Sequence, residues 1–274
     1  MKQTRLNFLK TIGLGAIISQ TNTISAKNIS VKTNLNLGLA SYTLRDYSLD
    51  DTIKYAKGLN LTHIALKSMH LPLDSKPEYI KEVAKKISDA GLKMYGAGVI
   101  YMKTEAEVEN AFRYAQHAGI EMIIGVPNHE LLALTEKKVK ETGIKLAIHN
   151  HGPGDKVYPT PDTVFEHIKN LDSRIGMCID VGHVVRLGLD PVKNTLKYGN
   201  RLFDMHLKDV DKVAEDGSSV EIGRGVINIP AILKALQKIN YKGVMAIEYE
   251  KDGKTAILGL SESVGYVRGI MKMV

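Results

Sequence analysis

Short apolar runs alternate with amphipathic stretches from residue 37 to the C-terminus. The runs lie at 37–42, 63–67, 93–99, 121–126, 145–149, 175–180, 202–207 and 244–248. Most are nearly continuous in apolar residues, the pattern of parallel strands buried on both faces. They recur about every 25–40 residues, the repeat of βα units. Between them, apolar residues return at helical spacing: Ile80, Val83, Ala84 and Ile87; Val108, Ala111, Phe112 and Ala115; Ile229, Ile232, Leu233 and Leu236. Such stripes lay one face of a helix on a sheet. A last helix carries Leu260, Val264, Val267 and Met271 on one face.

Boundary signals agree with this alternation. Asp190-Pro191, and Asn228 with Pro230, have the composition of helix N-termini. Gly91, Gly119, Gly143 and Gly243 stand between a helix and the next strand and are expected to end helices. Eight strands, each followed by a helix, predict an α/β fold, the (β/α)8 TIM barrel. An open doubly wound sheet competes, but no Gly-x-Gly-x-x-Gly follows the first strand. No linker or low-complexity tract divides residues 27–274, so a single domain is expected there.

Residues 1–26 follow other rules. A basic start with Lys2, Arg5 and Lys10 precedes a short apolar, Gly-spaced segment and ends at Ile24-Ser25-Ala26. This is the grammar of a signal peptide cleaved near Ala26, with the periplasm as the expected destination. The segment TRLNFLK is similar to the twin-arginine export pattern, with Leu6 in place of the second arginine. The apolar run is too short for a permanent membrane span, so no stable membrane anchor is expected.

Composition narrows the function classes. Of 274 residues, 44% are hydrophobic, enough for one large core. The net charge of +7 is spread without a dense Lys/Arg run, there is no Trp, and aromatics are 6%. Neither a phosphate-backbone footprint nor a base-stacking platform is visible, so nucleic acid is not an expected partner. The one cysteine, Cys178, lies in an apolar run and reads as core. A homo-oligomer is compatible with the sequence.

Chemistry gathers at the ends of the last four strands. They carry His149 and His151, Asp180 and His183, His206 with Lys208 and Asp209, and Glu248 with Glu250. In a parallel barrel these ends share the face where active sites lie. Side chains alternate along a strand, so His149 and His151 can both face the mouth while Asn150 faces away. One ligand per strand gives His149, Asp180, His206 and Glu248. Two imidazoles and two carboxylates suit one divalent transition metal, Mn²⁺, Zn²⁺, Co²⁺ or Fe²⁺, better than Ca²⁺. Lys67 ends the second strand and is a candidate substrate contact. Glu250, beside Lys251 and Asp252, reads as solvated surface, as do His129 and His167.

The segments IHNHGPGD, CIDVGH, DMHLKD, EIGRGVINIPAILKAL and AIEYE, in that order, resemble the xylose isomerase-like TIM-barrel superfamily in its sugar phosphate isomerase/epimerase branch. That resemblance implies one divalent metal held by Glu, Asp, His and a second Glu. Asp180, His206 and Glu248 match the last three, while His149 stands where the family has its first Glu. In epimerases of the family the two glutamates exchange protons with opposite faces of the substrate. A ligated imidazole leaves only one ring nitrogen for proton traffic, so symmetric two-carboxylate epimerisation is put in question.

The implied reaction is metal-assisted proton abstraction next to the carbonyl of a small carbohydrate, in isomerase/epimerase fashion. Glu248 or His151 would be the base, and Lys67, His183, Lys208 and Arg224 would orient hydroxyls or donate protons. An alternative is a lyase that performs β-elimination on 3-keto-glycosides; export favours it, because glycosides are met outside the cell. Two other readings are a non-catalytic metal- or sugar-binding barrel and an endonuclease IV-type phosphodiesterase. The latter calls for more metal ligands than the four or five candidates present here.

Overall fold

The computed structural model describes residues 35–274; the predicted signal peptide lies outside them. The strands are β1 (Asn36–Ala40), β2 (His63–Leu66), β3 (Lys93–Met102), β4 (Met122–Pro127), β5 (Lys145–His149), β6 (Ile175–Asp180), β7 (Leu202–Leu207), β8 (Asp209–Val210), β9 (Ser219–Val220) and β10 (Val244–Ile247). Eight of them close into one parallel barrel in the order β1-β10-β7-β6-β5-β4-β3-β2. The (β/α)8 expectation holds. β8 and β9 form a separate antiparallel ribbon after β7, which the apolar pattern did not reveal because each strand has two residues.

The helices are α1 (Leu49–Gly58), α2 (Pro77–Asp89), α3 (Glu105–Ala118), α4 (Leu132–Thr142), α5 (Pro161–Ile168), α6 (Val181–Arg186), α7 (Pro191–Lys197), α8 (Ile229–Lys238) and α9 (Ala256–Met271). None among the described residues is long and apolar enough to cross a membrane. Their buried faces follow the sequence stripes: Ile80, Val83 and Ile87 in α2, and Ile229, Ile232, Leu233 and Leu236 in α8. Starts follow local chemistry. Asp190 accepts from the amides of Val192 and Lys193, and Asn228 from that of Ala231, satisfying donors that no helical carbonyl can reach.

One predicted stop differs. Gly119 and Gly143 end α3 and α4 in the left-handed conformation. After α8 that conformation falls to Asn240, at φ 54°. Gly243 serves packing instead, since a Cβ there would collide with the Phe203 carbonyl and the Tyr241 ring.

The loop after β7 is built around one carboxylate. Asp209 is fully buried; Oδ1 accepts from the amides of Val210 (2.9 Å) and Ile227 (3.1 Å), and Oδ2 from those of Gly223 (2.9 Å) and Gly225 (3.0 Å). Gly223 takes φ 98°, and a Cβ on Gly225 would strike the carboxylate itself. The Gly-Arg-Gly of the sequence is therefore a wrap around Asp209, and it turns Arg224 outward. Hydrogen bonds to a charged group contribute about 1.5–3 kcal/mol each. Asp209→Ala, which also frees four amides, should lower unfolding stability by about 3 kcal/mol or more in a denaturant titration; a loss below about 1 kcal/mol would contradict this role.

Candidate metal centre

Ladder register sets the site. Asp180 on β6 pairs with His206 on β7, and Ala246 on β10 pairs with His206. The amide of Glu248, one residue beyond β10, donates to the Leu207 carbonyl at 3.1 Å. His149 ends β5 opposite Cys178. Asn150 faces sideways, as side-chain alternation requires, and ties the strands beyond their ladder: its Oδ1 accepts from the Asp180 amide at 3.0 Å. Asp180 also caps α6, with Oδ1 accepting from the His183 amide at 2.9 Å. That cap fixes the carboxylate, leaving Oδ2 to face the mouth.

His149, Asp180, His206 and Glu248 are all buried, and each offers a ligand atom within 4.8 Å of the others. His149 Nε2 lies 3.1 Å from His206 Nδ1, which lies 3.0 Å from Glu248 Oε2. Asp180 Oδ2 is 3.7 Å from His149 Nε2. Two nitrogens and two carboxylate oxygens converging on one small volume fit a divalent transition metal.

Lys208 shares this volume. It is 3% exposed, and its Nζ lies 3.0 Å from Asp180 Oδ2 and 3.1 Å from both Glu248 Oε2 and Glu250 Oε2. Burial alone would raise the Asp180 carboxyl, but His183, Lys208 and His149 outweigh it and hold it well below the usual range. Glu248 follows the same balance, with His206 and Lys208 opposing burial. Burial opposes charge on His206, yet Glu248, Asp204 and Asp180 raise it to about 9. Below the centre, fully buried Asp204 accepts from the Tyr95 hydroxyl at 3.0 Å and places its charge 3.7 Å from His206 Nε2.

The other predicted residues divide. His151 and His183 flank His149, with ring centres 4.5 and 5.9 Å away. Burial drives His183 down to about 4. Lys67 is half-buried at the mouth and donates to the Val99 carbonyl at 2.6 Å. Arg224 is not brought to the site: its Nη2 pairs with Glu262 at 2.8 Å on the exterior. Glu250, expected as solvated surface, instead reaches Lys208. His129 and His167, also expected at the surface, are half-buried and stacked at 3.7 Å; His129 Nε2 donates to the Val157 carbonyl at 3.0 Å, bracing the loop after β5.

Tyr101 is the mouth residue that sequence reasoning missed. The strand expected to stop at residue 99 runs to Met102 after a register shift between Ala97 and Ile100. The signal was the apolar run Val99–Met102, which continues past the Gly-Ala-Gly interruption.

Residues 53–270 match the family described as xylose isomerase-like TIM barrel. The chain belongs to that family. It is 29% identical over 136 residues to the rhizopine catabolism protein MocC of Rhizobium meliloti, covering 44% of this chain and 41% of that protein. It is 31% identical over 130 residues to an inosose dehydratase of Clostridium beijerinckii, covering 41% and 43%. These alignments thus span less than half the length of either relative. Among solved structures, the zinc-bound IOLI protein superposes with a TM-score of 0.74 at 15% identity, covering 87% of this chain and 99% of that one; this likeness concerns the fold.

A metal ligand must be a neutral imidazole, so His206 has to release its proton when an ion binds. Calorimetric Zn²⁺ titrations at pH 7.5 in buffers of different ionisation enthalpy should show about one proton released per ion, and affinity should fall as pH drops from 9 toward 6. Heats independent of buffer, with affinity flat in pH, would contradict this.

Proposed function

We propose that this protein is a divalent-metal-dependent lyase of keto-sugars, removing a proton α to a carbonyl and expelling an oxygen substituent from the β-carbon. The observation that carries this reading is His149. With an imidazole in the first ligand position, the four-residue centre has one glutamate, Glu248, for proton transfer; Asp180 gives Oδ1 to a helix cap and offers only Oδ2 to a metal. One free base suits elimination, which takes a single proton from carbon, better than an exchange between two opposed carboxylates. The inosose dehydratase among the relatives supports it, since dehydration is the same elimination with water leaving.

His149, Asp180, His206 and Glu248 would hold a divalent ion, which would supply Lewis-acid polarisation of a ketone. Glu248 takes the α-proton. Its contacts to His206 and Lys208 both use Oε2, so the other oxygen is available to accept. Lys208 keeps Glu248 ionised and ready as a base. Lys67 and His183 line the same mouth and orient hydroxyls. The leader, with its signal-peptide grammar, supports an exported enzyme acting on neutral glycosides.

In D₂O, the metal-loaded protein acting on a 3-keto-glycoside should incorporate α-deuterium and release the aglycone. Glu248→Gln should reduce both about 10²–10⁴-fold, with an unchanged circular dichroism spectrum. Epimer formation without aglycone release would favour the epimerase reading, and tight sugar binding without exchange a binding barrel.

A further inference from the structure

Elimination needs a proton donor as well as a base, because an alkoxide or hydroxide is a poor leaving group at neutral pH. The residues already described do not supply one. Lys208 is enclosed by three carboxylates, His183 packs against His149 and Asp180 within the proposed centre, and His149 would itself be a ligand. Lys67 donates to the Val99 carbonyl and turns its ammonium toward the Tyr101 ring, where it supports the phenol rather than replacing it.

Tyr101 remains. It stands at the end of β3 with 46% of its surface exposed to the mouth. Its phenolic oxygen lies 2.8 Å from His151 Nε2, with the two rings stacked at 5.3 Å. The Lys67 ammonium is 5.7 Å from the phenol ring centre. Around the closed barrel, β3 is three strands from β10 in one direction and five in the other, so Tyr101 and Glu248 occupy different sides of the mouth. The His151 loop is held in turn: Asp155 Oδ1 accepts from the amides of Val157 (2.7 Å) and Tyr158 (2.6 Å).

We infer that Tyr101 donates the proton to the departing β-oxygen, a role that rests on the elimination proposed above. The α C–H bond breaks toward Glu248, and its electron pair becomes the new carbon–carbon π bond. The β C–O bond breaks, its pair leaves with oxygen, and the phenolic proton joins that oxygen. The phenolate is held by His151, with Nε2 carrying the ring proton, and by the nearby Lys67 ammonium. The proton on Glu248 returns to the phenolate through water once product has left. At rest the phenol is protonated: burial raises its pKa, and the charges of Asp155 and Glu248 add to this.

The test separates the donor from the base by leaving group. Tyr101→Phe removes one oxygen from a half-exposed ring. Two probes are used, methyl 3-keto-glucoside, whose methoxide must be protonated, and 4-nitrophenyl 3-keto-glucoside, whose phenoxide leaves unaided. The variant should lose about 10²–10⁴-fold in methanol release while retaining nitrophenol release and α-deuterium exchange. Equal losses on both probes, or no loss on either, would overturn the donor role while leaving the elimination reading standing. Wild-type protein that releases neither methanol nor nitrophenol from these probes contradicts that reading and the donor role with it.

Discussion

The mouth of this barrel is held by one buried ammonium. Lys208 bridges Asp180, Glu248 and Glu250 at about 3 Å each, and without it two fully enclosed carboxylates would face each other in a low-dielectric space. Stripping one partner from a buried ion pair costs about 3–5 kcal/mol, because the remaining charge is left uncompensated. The same ammonium keeps Glu248 ionised, so the group that stabilises the metal-free mouth also prepares the base. A divalent ion and Lys208 draw on the same oxygens, which links metal uptake to the position of this side chain.

Alternation along a strand gives neighbouring residues opposite tasks. Lys208 faces the charged centre, whereas Asp209 turns away and gathers four backbone amides from the loop that leads into α8. Asn150 does similar work between His149 and His151, joining β5 to β6 while both imidazoles face the mouth. Scaffold and chemistry are therefore interleaved residue by residue, so short segments such as HNH and HLKD carry both.

The barrel was legible because burial on both faces leaves nearly continuous apolar runs, and those runs have few alternative readings. The four metal candidates were legible because the ends of parallel strands share one face. Arg224, expected to contact substrate, points away because the glycines on either side of it are wrapped around the Asp209 carboxylate, a long-range contact that the local segment does not encode. Glu250 was judged by its charged sequence neighbours, whereas its surroundings are set by Lys208, just beyond the end of β7. Tyr101 was missed because a register shift within β3 carries the strand beyond its glycine interruption, and local composition does not encode that shift.

His149, Asp180, His206 and Glu248 are proposed to hold one divalent metal ion. Anomalous diffraction from crystals grown with Zn²⁺ tests it directly. One strong peak bonded to all four side chains is expected, with the Lys208 ammonium displaced from Asp180. A peak that excludes His149, or full Zn²⁺ occupancy elsewhere with this cluster still bridged by Lys208, would contradict it.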